Sequence, residues 1–294
     1  MRILVTGAAG FVGRRLVPAL AAAGHDVVGA DLAGAHVTLD LRDRAAVLAA
    51  MVQAAPEVVV HAGAISGPML ARDNPALVFD VNVAGTLNVV DALGRSGVRR
   101  LVHLSSVAVY RPRPGDPSPT PVSAALGSDT PYGASKVAAE AIVEAYAAVA
   151  GLDAWVLRIS SVYGPGRTTP YLVSALIGAG RRGGAVALAN GGGDRRQFVH
   201  VDDVVAAIAA AVARQAGGCV PVNVSGGDVR TEEEIARLVR RRLPELRVDV
   251  TDEKAPPGDG DIGPLDLSGA TRLLGLSPRV GFEAGLDALL AGTT

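Results

Sequence analysis

Residues 2–13 do most to limit what this chain can fold into. A short β-branched, apolar run, Arg2–Thr6, feeds into Gly7-Ala-Ala-Gly10-Phe11-Val12-Gly13, and a helical pattern follows to about Ala23. Strand, glycine turn and helix in that order suit one task. Small residues let the backbone approach a pyrophosphate, and the helix start offers free N–H groups and a positive dipole end. The spacing is G-x-x-G-x-x-G, so the signal rests on this context. Strands and helices then alternate to about residue 160, which predicts a parallel sheet covered on both faces. The fold class is α/β, a Rossmann-type doubly wound sheet.

A second strand, Asp26–Ala30, ends at Asp31. A carboxylate there accepts hydrogen bonds from ribose hydroxyls and repels a 2′-phosphate, which favours NAD over NADP. Arg14 and Arg15 lie close enough in sequence to soften that preference. Asp43 suits the cap of a helix over 44–54. Asp40, beside Leu41, suits the adenine amino group. A third strand, Glu57–Val60, runs into His61-Ala62-Gly63-Ala64, and small residues at a strand's C-terminal end are where a cofactor crosses such a sheet. His61 has no histidine or carboxylate at ligand spacing and reads as structural.

Tyr132-Gly-Ala-Ser-Lys136 puts a phenol and an ammonium on one helix face. A free phenol, with a pKa near ~10, is a poor base, and a nearby cation favours the phenolate. Such a pair takes a proton from an alcohol while hydride leaves the same carbon. A strand over 99–105 leaves Ser106 at its C-terminal end, the end that faces the crevice of such a sheet.

The chain has 294 residues, 49% of them hydrophobic, enough for one large α/β domain with an appendage. A net charge of −1 gives no general electrostatic case for nucleic-acid binding, and Arg240–Arg242 read as a solvated helix face. The single Cys219 excludes an internal disulfide and a multi-cysteine metal site, and no metal is expected. No uninterrupted apolar run reaches the ~18 residues of a spanning helix. The N-terminus reads straight into a strand, so the expectation is a cytoplasmic protein with no membrane partner.

In order along the chain stand Gly7-x-x-Gly10-x-x-Gly13, Asp31, Asp40-Leu41, His61-Ala-Gly-Ala, Asn82-Val-Ala-Gly-Thr86 and Ser105-Ser106-Val-Ala-Val-Tyr110. Tyr132-x-x-x-Lys136, Leu157-Arg158, Val162-Tyr-Gly-Pro-Gly166 and Arg196-Gln-Phe-Val-His-Val-Asp-Asp203 follow. With these the chain resembles the extended short-chain dehydrogenase/reductase family, which includes nucleotide-sugar epimerases and dehydratases. The resemblance implies Tyr132 as general base or acid. Lys136 would hold the nicotinamide ribose and depress the tyrosine pKa, and Ser106 would bond the reacting oxygen. It implies Asn82, Ser105, Ile159 and Val162 beside the cofactor, with Ser66, Ser106, Ser161 and Arg196 toward a sugar-type substrate. It also implies a homodimer through helices 75–95 and 132–149. From sequence alone Ala138, Ala141 and Ala145 fit an internal core equally well.

Three departures narrow the function. Family dehydratases and decarboxylases carry an acid just after the catalytic serine or threonine, where this chain has Val107-Ala108. Nucleotide-sugar members often have Asn where Ser161 stands, and aspartate where Gln197 stands. A proline-rich segment, 111–121, with Arg111 and Arg113, replaces the usual glycine after Tyr110. The expected domains are 1–164, with 191–216 returning to them, and a smaller substrate part of 165–190 and 217–294, with Asp202 or Asp203 capping a helix. The leading expectation is a nucleotide-sugar epimerase. The alternative is a net dehydrogenase or reductase of a smaller sugar, uronate or aldonate.

Overall fold

The computed structural model describes residues 1–67, 70–71, 73–255, 261 and 263–292. The strands are β1 (Arg2–Thr6), β2 (Asp26–Asp31), β3 (Val37–Thr38), β4 (Val58–His61), β5 (Arg100–Ser106), β6 (Asp153–Ile159), β7 (Ser161–Tyr163), β8 (Ala185–Leu188), β9 (Arg195–His200), β10 (Cys219–Val224), β11 (Val229–Thr231) and β12 (Arg247–Val250). The helices are α1 (Gly13–Ala22), α2 (Arg44–Ala54), α3 (Pro75–Phe79), α4 (Gly85–Ser96), α5 (Pro131–Ala150), α6 (Leu172–Arg181), α7 (Val201–Val212), α8 (Glu232–Arg242), α9 (Ser268–Leu274) and α10 (Phe282–Ala291).

Seven strands make the main sheet, in the order β10-β6-β5-β4-β1-β2-β3. Its pairings are all parallel. Alternation along β1 shows why both faces are buried: Ile3 and Val5 pack with α1 and α7, while Leu4 packs with α2, α4 and α5. The order reverses between β1 and β4, so a crevice opens at their C-terminal ends, where Gly7 and Ala62 begin their loops.

Local chemistry sets the helix starts. Asp43 caps α2 by accepting from the Ala46 N–H at 3.0 Å, as its position in sequence predicts. The start of α7 differs from expectation. His200 is its cap, accepting from the Asp202 N–H, and Asp202 and Asp203 lie in the first turn. Asp203 instead accepts from the N–H groups of Arg279 and Val280 and pins the C-terminal segment.

The expected boundary at 217 also needs correction. Cys219–Val224 is the seventh strand of the main sheet, paired with β6, and α9 packs onto that sheet through Ala270 and Leu274. Val220, Val222 and Val224 make the stretch a good buried strand, and only its distant partner decides that. The smaller part has its own core of α6, α8, α10, β8 and β9, around Tyr163, Leu176, Phe198, Ile235 and Phe282. A three-stranded sheet, β11-β9-β7, joins the two parts.

Pro75–Ser96 is long and apolar enough on average to cross a membrane. In the fold it is α3, a π-helical turn over Asp80–Ala84 and α4, with Val78 buried on α3 and Val89, Val90 and Leu93 buried among α2, α5 and the sheet.

Candidate active site

The glycine turn is built for close approach. Gly7 has φ +71°, and a Cβ there would lie 2.6 Å from the Ala62 carbonyl carbon. A Cβ on Gly13 would lie 2.2 Å from Gly7 O. The turn therefore folds back on itself and against the end of β4. Helix α1 has no side-chain cap and no acid in its first turn, so the start of the helix is left to an anion. Phe11 and Val12 form the half-buried approach to it. Asp31 closes β2, with Oδ2 accepting from the Ala9 N–H at 2.9 Å and Oδ1 from the Leu32 N–H at 2.7 Å.

Arg14 and Arg15 turn the other way. Arg15 reaches Asp202 Oδ1 at 3.0 Å and Pro165 O at 2.9 Å, and Arg14 reaches Gly166 O at 3.3 Å. They strap α1 to the loop after β7 and so do not serve Asp31. Asp40 forks onto Arg42, which holds its carboxyl below the usual range, and this leaves its expected adenine contact without support. Leu41 is buried, and its carbonyl accepts from Asn88. Ala62, Gly63 and Ala64 line the crevice half-buried, and Ile159 lies buried at the end of β6.

His61 is structural, as read from sequence. Its ring bonds Thr6 Oγ1 at 2.8 Å and Thr86 Oγ1 at 3.0 Å, and burial, with help from the charge on Lys136, drives its pKa down to about 3. The π-helical turn carries Asn82. Its side chain accepts from the Ile65 N–H at 2.8 Å and donates to Ile65 O and to Ser135 Oγ, each at 3.0 Å. One buried amide thus fixes the loop after β4 to the residue before Lys136. Such turns favour functional sites, but nothing local in the sequence announces one.

Tyr132 meets Ser106 through a missing side chain. Thr130 caps α5 by accepting from the Gly133 N–H, with Pro131 at the first helical position. A Cβ on Gly133 would lie 2.4 Å from Ala108 O and 2.0 Å from Ser128 Oγ. Glycine there lets the first turn of α5 press against the turn that follows Ser106. The Tyr132 hydroxyl then contacts the side chains of Ser106 and Ser66 and the backbone of Gly67.

Burial raises the Tyr132 pKa, and those contacts and the Arg167 charge oppose it. The expected role for Lys136 in depressing this pKa is not seen in this geometry. Lys136 Nζ donates to Leu104 O at 2.9 Å, and burial pulls its own pKa down to about 8.

Three further placements differ from expectation. The Ser105 hydroxyl donates to Glu140, so only its backbone faces the crevice. Arg196 is tied to Glu232, with Nε 2.8 Å from Oε1. Ser161 lies exposed on β7, whose Val162 carbonyl accepts from Arg167. Of the loop arginines, Arg113 is committed to Asp116 and Thr120, and the exposed Arg111 passes beside Gly127. Gln197 bridges Gly263 O and Ser225, which gives it a structural task.

Sequence reading missed Arg167. Its guanidinium stacks 4.0 Å over the Tyr171 ring and donates to Thr169 Oγ1 at 2.9 Å. Its partners are a ring, a hydroxyl and a carbonyl, and burial lowers its pKa. It stands just after Gly166, a position that reads as a loop residue.

The glycine turn, the uncapped helix, the strand-end carboxylate and a Ser106–Tyr132 pair one helical turn from Lys136 define a dinucleotide-dependent enzyme of the extended short-chain dehydrogenase/reductase type. The chain belongs to the NAD dependent epimerase/dehydratase family, whose sequence profile matches residues 3–225. A UDP-glucose 4-epimerase of Mycolicibacterium smegmatis is 34% identical over 311 residues, covering 97% of this chain and 96% of that protein. A 3-diazoavenalumate denitrifying reductase from Streptomyces is 38% identical over 235 residues, covering 76% and 75% of the two chains. MoeE5, solved with NAD and either UDP-glucose or UDP-glucuronic acid, superposes with TM-score 0.89 at 29% identity, covering 100% of this chain and 98–99% of that one. The cofactor is NAD, which the Gly7–Gly13 turn and Asp31 fit.

Proposed function

We propose that this chain is a nucleotide-sugar epimerase acting at a carbinol of the sugar, position 4 as in the relatives' names. The observation that carries this reading is an intact Ser106–Tyr132–Lys136 group followed by Val107 and Ala108, with no acid to drive an elimination. Bound NAD would supply the hydride chemistry, and inversion at that carbon requires the hydride to return to the opposite face of the carbonyl. Tyr132 Oη takes the hydroxyl proton and later returns it. Ser106 holds the oxygen between the two events, and Lys136 grips the nicotinamide ribose. Proton and cofactor are both restored, so no net redox change remains. Asp31 holds the adenosine ribose, with Gly7, Gly10, Phe11, Val12 and Gly13 around the pyrophosphate. Ala62, Gly63, Ala64, Asn82, Ile159 and Val162 line the rest of that path.

The sugar lies between Ser66, Ser106 and Ser161, with the diphosphate toward Arg196, which must share its guanidinium with Glu232. Arg167, a cation near Tyr132 with no acid among its named partners, supplies a second anion contact in the smaller, substrate-binding part. The enzyme works in the cytoplasm.

The homodimer reading gains from exposure. Ala141 and Ala145 face outward on α5, as do Phe79, Leu87 and Val149 on this side of the fold, so they do not serve an internal core. The expected mass in solution by light scattering is twice 29.8 kDa, and a monomer at micromolar concentration rules the pairing out.

Asp31→Ala removes charged hydrogen bonds worth about 1.5–3 kcal/mol. It should weaken NAD binding roughly ten- to a hundredfold and erase the preference over NADP. Calorimetry with both dinucleotides checks this, and an unchanged preference removes Asp31 from its role.

A second reading keeps the alternative of a net reductase acting on a smaller substrate. Ser161 in place of Asn, the Arg196–Glu232 pair and the likeness to a Streptomyces reductase favour it. Cofactor content separates the two. Purified protein that releases near-stoichiometric NAD on denaturation supports the epimerase, which recycles its cofactor in place. An empty site supports a reductase that exchanges it at each turnover.

A further inference from the structure

A buried ion pair lies directly behind Lys136. Glu140 follows Lys136 by one turn on the same face of α5, and both are buried. Arg158 on β6 grips that carboxylate twice, with Nη2 2.7 Å from Oε2 and Nε 3.0 Å from Oε1. The Ser105 hydroxyl, next to Ser106, donates to the same group. From Arg158 the network runs on to the Tyr110 hydroxyl at 2.9 Å and Val122 O at 2.7 Å. Tyr110 donates to Asn223 Oδ1 at 2.8 Å, and Asn223 donates to Thr120 O and Asp266 O, each at 3.1 Å.

This network touches the end of β5, both sides of the proline-rich segment, and β10. It reaches the site at Lys136 and Ser105. Lys136 is buried, and its ammonium donates to the Leu104 carbonyl. The other titratable groups around it are His61 on β4, His103 on β5 and Tyr132 on α5. Burial, joined by the charge on Lys136, holds both histidines neutral, and burial keeps Tyr132 protonated. Glu140 is therefore the anion that compensates Lys136, while Arg158 fixes its carboxylate from the other side.

We propose that Glu140 is a positioning residue for this active site: held by Arg158 and by Ser105 one helical turn behind Lys136, it supplies the buried negative charge that the Lys136 ammonium needs. The proposal rests on Lys136 serving the cofactor in the reading above, but its test needs no substrate. The sign follows from charge. Burial lowers the Lys136 pKa to about 8, and Glu140 pulls it back up. Removing that carboxylate must lower the midpoint further, so the lysine loses its proton at a lower pH.

The chain contains two lysines, Lys136 and the exposed Lys254. Protein labelled with 13Cε-lysine therefore gives two assignable signals, and the NAD-loaded full chain can be titrated directly. Glu140→Gln should lower the Lys136 midpoint by about one unit or more, while Glu140→Asp should restore it toward the wild-type value. Glu140→Gln alone leaves Arg158 buried without its partner and risks misfolding. Glu140→Leu with Arg158→Met removes the pair together and should still lower the midpoint, by less. If the midpoint stays at the wild-type value in every folded variant, the pair is merely structural and the proposal fails. A shifted midpoint in a protein that turns over no nucleotide sugar leaves this inference standing and sinks the substrate reading.

Discussion

Tyr132→Phe is expected to leave the fold and NAD binding intact while lowering kcat by about 10²–10⁴-fold, the usual worth of a positioned acid–base group. The ring keeps its place because Thr130, Pro131 and Gly133 fix the first turn of α5, and none of them needs the phenolic oxygen. Only the contacts to Ser106, Ser66 and Gly67 disappear. Steady-state rates and NAD calorimetry on the same preparation separate the outcomes. Equal loss of kcat and of NAD affinity would mean that the hydroxyl holds the site together. Near-normal turnover would take the proton transfer away from Tyr132.

Gly13→Ala is expected to damage cofactor binding through backbone alone. The added methyl would lie 2.2 Å from Gly7 O and 2.7 Å from two Ala8 backbone atoms. No flexible side chain can yield there, so the turn must open away from the pyrophosphate position. Overpacking of this kind costs about 1–3 kcal/mol, which corresponds to roughly ten- to a hundredfold in NAD affinity. Thermal melts with and without NAD test it. The variant should lose the stabilisation that NAD gives the wild type, and an equal upward shift in both proteins would contradict the tight turn.

Much of this was legible in sequence where a few neighbouring residues determine the outcome. The Gly7–Gly13 turn, the carboxylate at Asp31 and the Asp43 cap are local devices, and their chemistry is visible in short windows. Ser106 and Tyr132 were legible as a pair only through resemblance, since 26 residues separate them in the chain. What brings them together is the bare Cα of Gly133 against Ala108, a contact that no periodicity reports.

Other features depend on partners far along the chain. Cys219–Val224 has strand chemistry, but its place beside β6 is a question of topology. Arg14 and Arg15 read as cations near a ribose until their partners appear at residues 165, 166 and 202. Arg196 was visible as a candidate phosphate ligand, whereas Glu232, 36 residues on, was not visible as its competitor. Arg158 stood inside a recognised motif, and its task became apparent only with Glu140 opposite it.

Tyr132 and Ser106 are proposed to work on a nucleotide-linked sugar without net redox change. The most direct measurement follows UDP-glucose, UDP-glucuronate and dTDP-sugars by proton NMR with the NAD-loaded protein, while absorbance tracks NADH. The sugar epimer is expected to grow from at least one of them to a fixed equilibrium ratio, with no NADH accumulating. Steady NADH formation coupled to an oxidised product, or no change in any nucleotide sugar, would contradict it.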